Sequence, residues 1–179
     1  MNVLTLDLAT RTGWANALCG FVRSGYRDFP EEKGEAPGTR FVRFRNWLRE
    51  MVDTETPPEL VVIEKPLIGT MKNADVARIA FGFAAITEEV CARYGVRFYA
   101  IHNATIKKHA TRSGNADKRR MICAANRLFE KRIGREVIDN NEADALCVMA
   151  WVEDGMPEDP PKPRKPRKKK LHAPDASGT

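Results

Sequence analysis

Three acidic residues occupy places in the sequence where a charge is unexpected. Asp7 ends the apolar run "VLTL", and Glu64 ends the apolar run "LVVI". Asp144 heads a helical stripe that continues through Val148 and Trp151, since residues three or four apart share one face of a helix. Adjacent carboxylates repel each other unless a cation or a shared proton lies between them. The three acids together therefore predict a site that takes up a cation.

The residue types indicate which cation this site takes. Three converging carboxylates without a partner Cys or His favour Mg²⁺ or Mn²⁺ over zinc, because these hard cations prefer oxygen ligands. Such a cluster can hold two metal ions about 3.5–4 Å apart, one activating a water molecule and one stabilising the leaving oxygen of a phosphoryl displacement. Hydrolysis of a phosphodiester bond is the natural chemistry of this arrangement.

Each acid also has a simpler explanation. Asp7 can be an exposed hairpin residue, and Glu64 can be a strand end that stops before Pro66. Asp144 can be a charge that favours the positive end of its helix. The metal-site interpretation rests on the occurrence of all three together.

The elements around the acids predict an α/β fold built on a mixed five-stranded sheet. Apolar runs and turn residues predict three antiparallel strands, followed by two strands that alternate with helices. The predicted strands cover residues 2–9, 13–20, 21–29, 60–64 and 96–101, and the predicted helices cover residues 41–52, 73–94, 116–131 and 140–153. Right-handed helical crossovers make the first, fourth and fifth strands parallel. Since sites form at the carboxyl ends of parallel strands, Asp7 and Glu64 are expected at one edge.

The ends of two predicted helices carry capping residues. Gly95 follows the second helix, where a left-handed cap is expected. Asp139 and Glu142 have the spacing of a capping box, with Asp139 as N-cap and Glu142 at the third helical position. Asn141 and Asp144 share one face of this last helix, and Val148 and Trp151 continue that face as an apolar stripe, so Asp144 is expected to face inward.

A basic segment follows the fifth predicted strand, at the same edge as the acids. It is predicted as a polar stretch from residue 102 to residue 114, with a turn at Gly114 and Asn115 and a helix N-terminus that offers N–H groups to a phosphate. Its cations are Lys107, Lys108, Arg112, Lys118, Arg119 and Arg120, opposed by Asp117 alone. We interpret the segment as a surface that contacts the DNA backbone, with a solvated charged face as the alternative.

His102 and His109 lie in the same segment. We interpret both as ordinary polar loop histidines, with assistance to proton transfer as the alternative. Few aromatic residues are interleaved with the cations, so base stacking is not indicated.

The chain of 179 residues is predicted to form one folded domain, residues 1–155, followed by a disordered tail, residues 156–179. Residues 160–179 contain seven Lys and Arg and one Asp. Their net charge of +6 equals that of the whole chain. We interpret the tail as a segment attracted to phosphates without sequence preference. A solubilising tail and a nuclear-targeting run are the alternatives.

The cysteines and the hydropathy indicate the compartment. Cys19, Cys91, Cys123 and Cys147 form no C-x-x-C pair, so we expect buried, reduced thiols rather than a zinc or disulfide site. No apolar run of about 18 residues and no signal-peptide pattern is present. A cytoplasmic protein without a membrane partner is therefore expected.

The order of these motifs resembles that of the RuvC-type Holliday junction resolvases of the RNase H-like superfamily, particularly the phage-type members. The resemblance extends from residue 1 to about residue 153 and comprises five segments: "LTLDLATRTGWA", "VVIEKP", "KNADVARIAFGFAAI", "IKKHATRSGNADKRRM" and "EADALCVMAW".

This resemblance implies a homodimer with two active sites, in which paired, Mg²⁺-dependent nicking resolves Holliday junctions or other branched DNA. Such an enzyme is a structure-selective endodeoxyribonuclease of bacterial or phage-infected cells. The implied metal ligands are Asp7, Glu64 and Asp144, and the cations implied near the cleaved backbone are Lys107 and Lys118.

The chain departs from the family pattern in three places. Asn141 stands where the family often has Asp or His, and it can serve only as a neutral fourth ligand. Arg112 replaces the first glycine of the family's G-x-G basic loop. Leu67 and Ile68 stand where bacterial members place an aromatic residue. These departures suit a more permissive debranching nuclease.

Two other functions are open at this point. A catalytically inactive protein that binds branched DNA would use the same basic surface. An actin-like or sugar-kinase-like ATPase shares a related arrangement of strands and an Asp after its first strand, but it needs a second half with further phosphate and adenosine loops. A chain of 179 residues leaves little room for that half.

Overall fold

The computed structural model of the protein describes residues 1–36, 38–67 and 73–156, so the predicted tail beyond Met156 lies outside the described residues. The strands are β1 (Val3–Asp7), β2 (Arg11–Leu18), β3 (Phe21–Asp28), β4 (Leu60–Glu64) and β5 (Arg97–Ile101). The helices are α1 (Thr39–Val52), α2 (Ala74–Tyr94), α3 (Asn103–Thr111), α4 (Lys118–Ile133) and α5 (Asn140–Glu153). None of the helices in these ranges combines the length and the apolar character needed to span a bilayer.

The sheet has the predicted mixed topology. Its strand order is β3-β2-β1-β4-β5. The β1–β2 and β2–β3 pairs are antiparallel, and the β1–β4 and β4–β5 pairs are parallel. The prediction of three antiparallel strands followed by two parallel ones is therefore confirmed.

Both faces of the sheet are apolar, and successive side chains of a strand alternate between them. Leu6 of β1 and Ile63 of β4 belong to a buried cluster formed with α1 and α2. Val3 of β1 and Val62 of β4 belong to a second cluster, formed with α3, α4 and α5. We call the side of the second cluster the α5 face. Odd-numbered residues of β1 and even-numbered residues of β4 point to it.

Helix α5 lies close against β1 and β2 because the residues beneath it are small. Gly13 and Ala15 face it from β2. A Cβ added at Gly13 would lie 1.9 Å from the carbonyl oxygen of Asn141, so the first turn of α5 rests on the bare backbone of this glycine. The buried hydroxyl of Thr5 in β1 donates a hydrogen bond to the carbonyl of Ala145 at 2.8 Å. These contacts fix α5 over β1 and β2.

The predicted helix ends are present. Gly95 caps α2 with a φ of 67°, in the left-handed region that glycine adopts without strain. Asp139 is the N-cap of α5, and its Oδ1 accepts hydrogen bonds from the N–H groups of Asn141 at 2.9 Å and Glu142 at 3.1 Å.

The second half of the predicted capping box is not formed. The carboxylate of Glu142 is buried, accepts a hydrogen bond from Ser24 Oγ at 2.6 Å and pairs with Arg135. Glu142 therefore ties the start of α5 to β3 instead of capping its own helix.

The prediction that residues 102–114 form a polar stretch without regular structure is wrong, because α3 occupies most of this range. Its buried apolar residues are Ile106 and Ala110, which lie one turn apart. Two apolar positions are too few to reveal a helical period in the sequence. The expected turn at Gly114 and Asn115 is present between α3 and α4.

The expectation of buried thiols is correct for Cys91 and Cys147 and wrong for Cys19 and Cys123. All four cysteines are free, but Cys19, at the β2–β3 turn, and Cys123, on α4, are exposed. Met156, the last described residue, packs against the cluster on the α5 face.

We predict that Gly13→Ala lowers the free energy of unfolding by about 1–3 kcal/mol, the usual cost of overpacking. The added methyl group overlaps backbone atoms of Asn141, which cannot move unless α5 shifts. Urea denaturation followed by circular dichroism measures the loss.

Gly25→Ala on β3 is the matched control for this substitution. Its methyl group would lie 3.1 Å from the ring of Trp14, a side chain that can turn aside. Gly25→Ala should cost less than Gly13→Ala, and a Gly13→Ala protein as stable as the wild type would contradict the tight contact under α5.

Candidate active site

The alternation of strand residues places two acids side by side. Asp7 ends β1 two positions after Thr5, and Glu64 ends β4 two positions after Val62, so both point to the α5 face. The parallel pairing of β1 with β4 runs up to the residues just before the two acids. Neighbouring strands lie about 4.8 Å apart. The two carboxylates therefore lie at the same edge of the sheet and on the same face.

Helix α5 brings a third acid to this edge. The hydrogen bond from Thr5 holds Ala145, the residue that follows Asp144. The charge of Asp144 raises the pKa of Asp7, and the charge of Glu64 raises the pKa of Asp144. The fold thus gathers the three acids from β1, β4 and α5 into one electrostatically coupled group, here called the carboxylate cluster.

Burial raises the pKa of every member of this cluster, and repulsion by other acids raises the pKa of Asp7 and Asp144 further. Burial raises the pKa of Asp7 well above its usual value, and Asp144 and Glu64 raise it further. Burial is also the main cause of the raised pKa of Glu64 and of Asp144, which reaches about 7. A bound cation would therefore stabilise the ionised form of these acids.

The donor atoms of the cluster suit a hard cation. Oδ1 of Asp144 is buried and has no hydrogen-bond partner, which is unfavourable for an isolated oxygen. The donors are all oxygens, which Mg²⁺ and Mn²⁺ prefer. Within residues 1–36, 38–67 and 73–156, no three His, Cys, Asp or Glu side chains lie close enough to hold one metal ion. The residue types fit Mg²⁺, and the arrangement is not a closed coordination shell.

Asn103 also belongs to the site, although no motif in the sequence marks it. Its Nδ2 donates a hydrogen bond to Oε1 of Glu64 at 2.6 Å. This bond opposes the effect of burial on the pKa of Glu64 and fixes the orientation of the carboxylate. The one available signal is position, because Asn103 begins α3 just after β5, at the edge where Glu64 ends β4.

Two lysines act on the carboxylate cluster from the neighbouring helices. Lys107 on α3 lowers the pKa of Glu64 and Asp144. Lys118, the first residue of α4, lowers the pKa of Asp7 and Asp144. Both lysines therefore lie close enough to interact electrostatically with the acids. They would also attract a phosphate bound at the cluster.

A cavity of about 450 Å³ opens beside the carboxylate cluster. Its walls include Asp7, Glu64, Asn103, Lys107 and Gly114. The cavity thus combines acids, a cation and an amide at the carboxyl ends of parallel strands, the usual place for a site in such sheets.

The other predicted DNA-binding residues are Lys108, Arg112 and Arg119, and all three are exposed. Arg112 follows α3 with a φ of 61°, a left-handed conformation that glycine adopts more readily. Arg119 lies on α4 and lines a groove between α3 and α4. None of the three lines the cavity beside the acids.

Asn141 and the two histidines do not line the cavity beside the acids. Oδ1 of Asn141 accepts a hydrogen bond from Asn140 Nδ2 at 2.7 Å. His109 lies on α3, and its Nε2 is 2.8 Å from Oδ2 of Asp154, which follows the far end of α5. His102 is an exposed residue just before α3. The structure therefore pairs His109 with Asp154 and not with the carboxylate cluster.

Known structures share this fold, whereas sequence comparison alone finds nothing. No family model and no curated protein sequence matches the chain. RuvC of Thermus thermophilus matches with a TM-score of 0.65 and 16% identity, over 87% of this chain and 97% of that chain. RuvC of the same organism in complex with a Holliday junction substrate matches with a TM-score of 0.66 and 19% identity, over 83% and 90% of the two chains. The yeast mitochondrial Holliday junction resolvase Ydc2 matches with a TM-score of 0.56 and 12% identity, over 83% and 76%.

The mixed sheet, with three antiparallel strands followed by two parallel ones, defines an α/β protein of the RNase H-like class. Within that class, the chain has the fold of the RuvC-type Holliday junction resolvases. The resemblance inferred from the order of the sequence motifs is confirmed at the level of the fold.

The raised pKa of Asp144 predicts how stability depends on pH in metal-free buffer. Its pKa rises from 3.8 to about 7 on folding, so between these values the folded state holds a proton that the unfolded state has lost. Stability therefore falls as the pH rises through this window. Asp144→Asn should reduce that fall and stabilise the protein at pH ~8 by up to about 4 kcal/mol.

Urea denaturation in EDTA at pH ~5 and pH ~8 measures this difference. Asp75→Asn, at an exposed position on α2, is the control and should leave the pH dependence unchanged. If Asp144→Asn and the wild type lose the same free energy of unfolding between the two pH values, Asp144 is not an unfavourably buried carboxylate.

Proposed function

We propose that the protein is a structure-selective endodeoxyribonuclease that resolves Holliday junctions or other branched DNA by Mg²⁺-dependent hydrolysis of phosphodiester bonds. The observation that carries this proposal is the convergence of Asp7, Glu64 and Asp144 at one edge of an RNase H-like sheet, with raised pKa values. The fold it shares with a RuvC structure in complex with a Holliday junction substrate supports branched DNA as the substrate.

In this proposal, Asp7, Glu64 and Asp144 hold the metal, and Asn141 is the neutral fourth ligand. These ligands would hold two Mg²⁺ ions per site, replaceable by Mn²⁺, and the metal would supply an activated water and stabilisation of the leaving oxygen. Asn103 keeps the Glu64 carboxylate in one orientation through its 2.6 Å hydrogen bond. The chain thus supplies the acidic ligands from two strand ends and one helix.

Lys107 and Lys118 are proposed to stabilise the charge that develops on the cleaved phosphate. Their effects on the pKa values of the acids support this role, because a phosphate at the cluster would lie within the same electrostatic reach. Lys108, Arg112 and Arg119 would add backbone contacts that position the DNA without reading its sequence.

A homodimer would place two such sites on one branched substrate. An exposed stripe on α2 supports this assembly, because Ala74, Arg78, Phe81 and Ala85 recur three or four residues apart on its outer side. The opposite side of α2 packs on its own sheet through residues such as Phe83. The outer side is therefore available to a second copy. We place this activity in the cytoplasm of a bacterium or a phage-infected cell.

A junction-binding protein without catalysis is the second candidate. It is favoured by one observation, that no three potential ligands of the described ranges are within reach of a single metal ion. Incubation with four-way, three-way, flap and linear DNA separates the two candidates. The nuclease predicts nicking of branched DNA that requires Mg²⁺ or Mn²⁺ and stops in EDTA, whereas the binding protein predicts tight binding without nicking in either metal.

Asp7→Asn is expected to abolish nicking while junction binding is largely retained. Loss of one acidic ligand disables a metal-dependent site, but the basic surface that contacts the phosphates is untouched. Gel-shift and cleavage assays on one four-way junction measure both properties. Undiminished nicking by the purified variant, with contaminating nuclease excluded, would show that the site lies elsewhere.

Lys118→Ala should lower the single-turnover cleavage rate at saturating protein by a factor of about 10 to 1,000, the range for losing one positioned electrostatic contact. Binding should change much less, because many other cations contact the backbone. Lys131→Ala, in the last turn of the same helix, is the matched control and should cleave at the wild-type rate. A Lys118→Ala protein that binds more weakly but cleaves normally when saturated would restrict Lys118 to affinity.

A further inference from the structure

A second basic site lies outside the carboxylate cluster, between α3 and α4. This α3–α4 groove encloses about 470 Å³, and its lining includes Thr111, Arg119, Arg120, Cys123 and Arg127. The residues of α4 among them recur at helical spacing and so lie on one side of the helix. The groove therefore combines three guanidinium groups with an exposed thiol.

The arginines of the groove lack the acidic partners that other arginines of the protein have. Arg132 pairs with Glu153, and Arg135 pairs with Glu142. Within the described ranges, the three groove arginines form no ion pair with any carboxylate. Their positive charge is therefore left for an anion from outside.

Two of these arginines are fixed by the end of α3. A side-chain nitrogen of Arg120 donates to the carbonyl of Thr111 at 3.4 Å, and one of Arg127 donates to the carbonyl of Ala110 at 2.9 Å. A guanidinium carries five N–H donors, so most of them remain available. Asp117 also lines the groove, but its Oδ1 accepts the backbone N–H of Arg120 at 2.9 Å as the N-cap of α4. Guanidinium groups held in this way suit the oxygens of a phosphate.

The groove begins beside the catalytic centre but is separate from it. Lys107 and Lys118 are the cations that most lower the pKa of Asp144. Arg119 follows Lys118 directly in the chain and lines the α3–α4 groove, whereas the cavity beside the acids does not include it. A DNA strand that leaves the carboxylate cluster past Lys118 would therefore meet the groove arginines next.

We propose that the α3–α4 groove binds backbone phosphates of a duplex arm of the branched substrate, outside the catalytic centre. This inference rests on the proposed nuclease function and names the surface that holds the substrate beyond the cleavage point. Phosphate contacts carry no sequence information, so the groove supplies affinity and orientation.

The two exposed cysteines allow a direct test in one molecule. Cys123 lies in the groove and Cys19 lies at the β2–β3 turn, whereas Cys91 and Cys147 are buried. The full-length Asp7→Asn protein is alkylated with N-ethylmaleimide in Mg²⁺, with and without an immobile four-way junction, and each cysteine is followed by peptide mass spectrometry. With the free junction at about ten times its Kd, alkylation of Cys123 should slow about tenfold, in proportion to the unbound fraction. Alkylation of Cys19 should be unchanged.

Arg119→Gln tests the charge of the groove without breaking an internal contact, because the side chain of Arg119 makes no ion pair or hydrogen bond within the described ranges. The Kd should rise about tenfold for four-way and linear DNA alike. The slope of log K against log salt should become shallower by about 1, the effect of losing one phosphate contact. Arg132→Gln, on the same helix but paired with Glu153, is the control and should change neither quantity.

The outcomes separate the groove from the nuclease. Protection of Cys123 together with the Arg119→Gln effects supports the groove as a DNA contact. Unprotected Cys123 at saturating junction, in a protein that binds and nicks that junction, overturns the groove and leaves the nuclease intact. An Arg119→Gln protein whose Kd and salt slope match those of Arg132→Gln overturns the groove as well. Failure of the wild type to bind any branched DNA overturns the proposed function itself.

Discussion

The close contact between α5 and the β1–β2 hairpin is the interaction on which the site depends. The hydroxyl of Thr5 links the strand that ends in Asp7 to the helix that carries Asp144, through the carbonyl of the next residue. Gly13 leaves room for the first turn of that helix, where any side chain would collide with backbone. Packed interiors resist displacement by even small groups. A small residue and one buried hydroxyl therefore set the separation of two acids that lie at opposite ends of the folded chain.

The same packing lowers the stability of the folded protein, because it buries acids near one another. Acids that are buried near one another hold charge at neutral pH at the expense of folding free energy, and such perturbed groups gather at functional sites. Lys107, Lys118 and Asn103 offset part of this effect, since each lowers the pKa of at least one of the acids. The rest of the fold compensates through two separate apolar clusters, one on each face of the sheet.

Local patterns in the sequence suffice to predict the parts of the fold that local interactions specify. The strand topology follows from apolar runs with short turns, and the N-cap of α5 follows from Asp139 and its spacing. Helix α3 escapes prediction, because Ile106 and Ala110 alone carry its apolar period. The hydrogen bond between Asn103 and Glu64 joins residues that only the finished sheet brings together, so no local pattern contains it. The exposure of Cys123 on the amphipathic helix α4 likewise depends on which elements pack against that helix, so its local sequence does not reveal it.

Strands β1 and β4 are apolar on both faces, so hydrophobicity alone does not determine which of their side chains point to the α5 face and which point to α1 and α2. A deletion of one residue within Val3–Asp7 would leave a segment that still fits the sheet, but its terminal carboxylate would emerge on the side of α1 and α2. The length of these strands is thus part of the chemistry, just as the identity of the acid is. Over evolutionary time, insertions and deletions should accumulate in the connections around the sheet and be removed from β1 and β4, even where substitutions among Val, Leu and Ile pass freely.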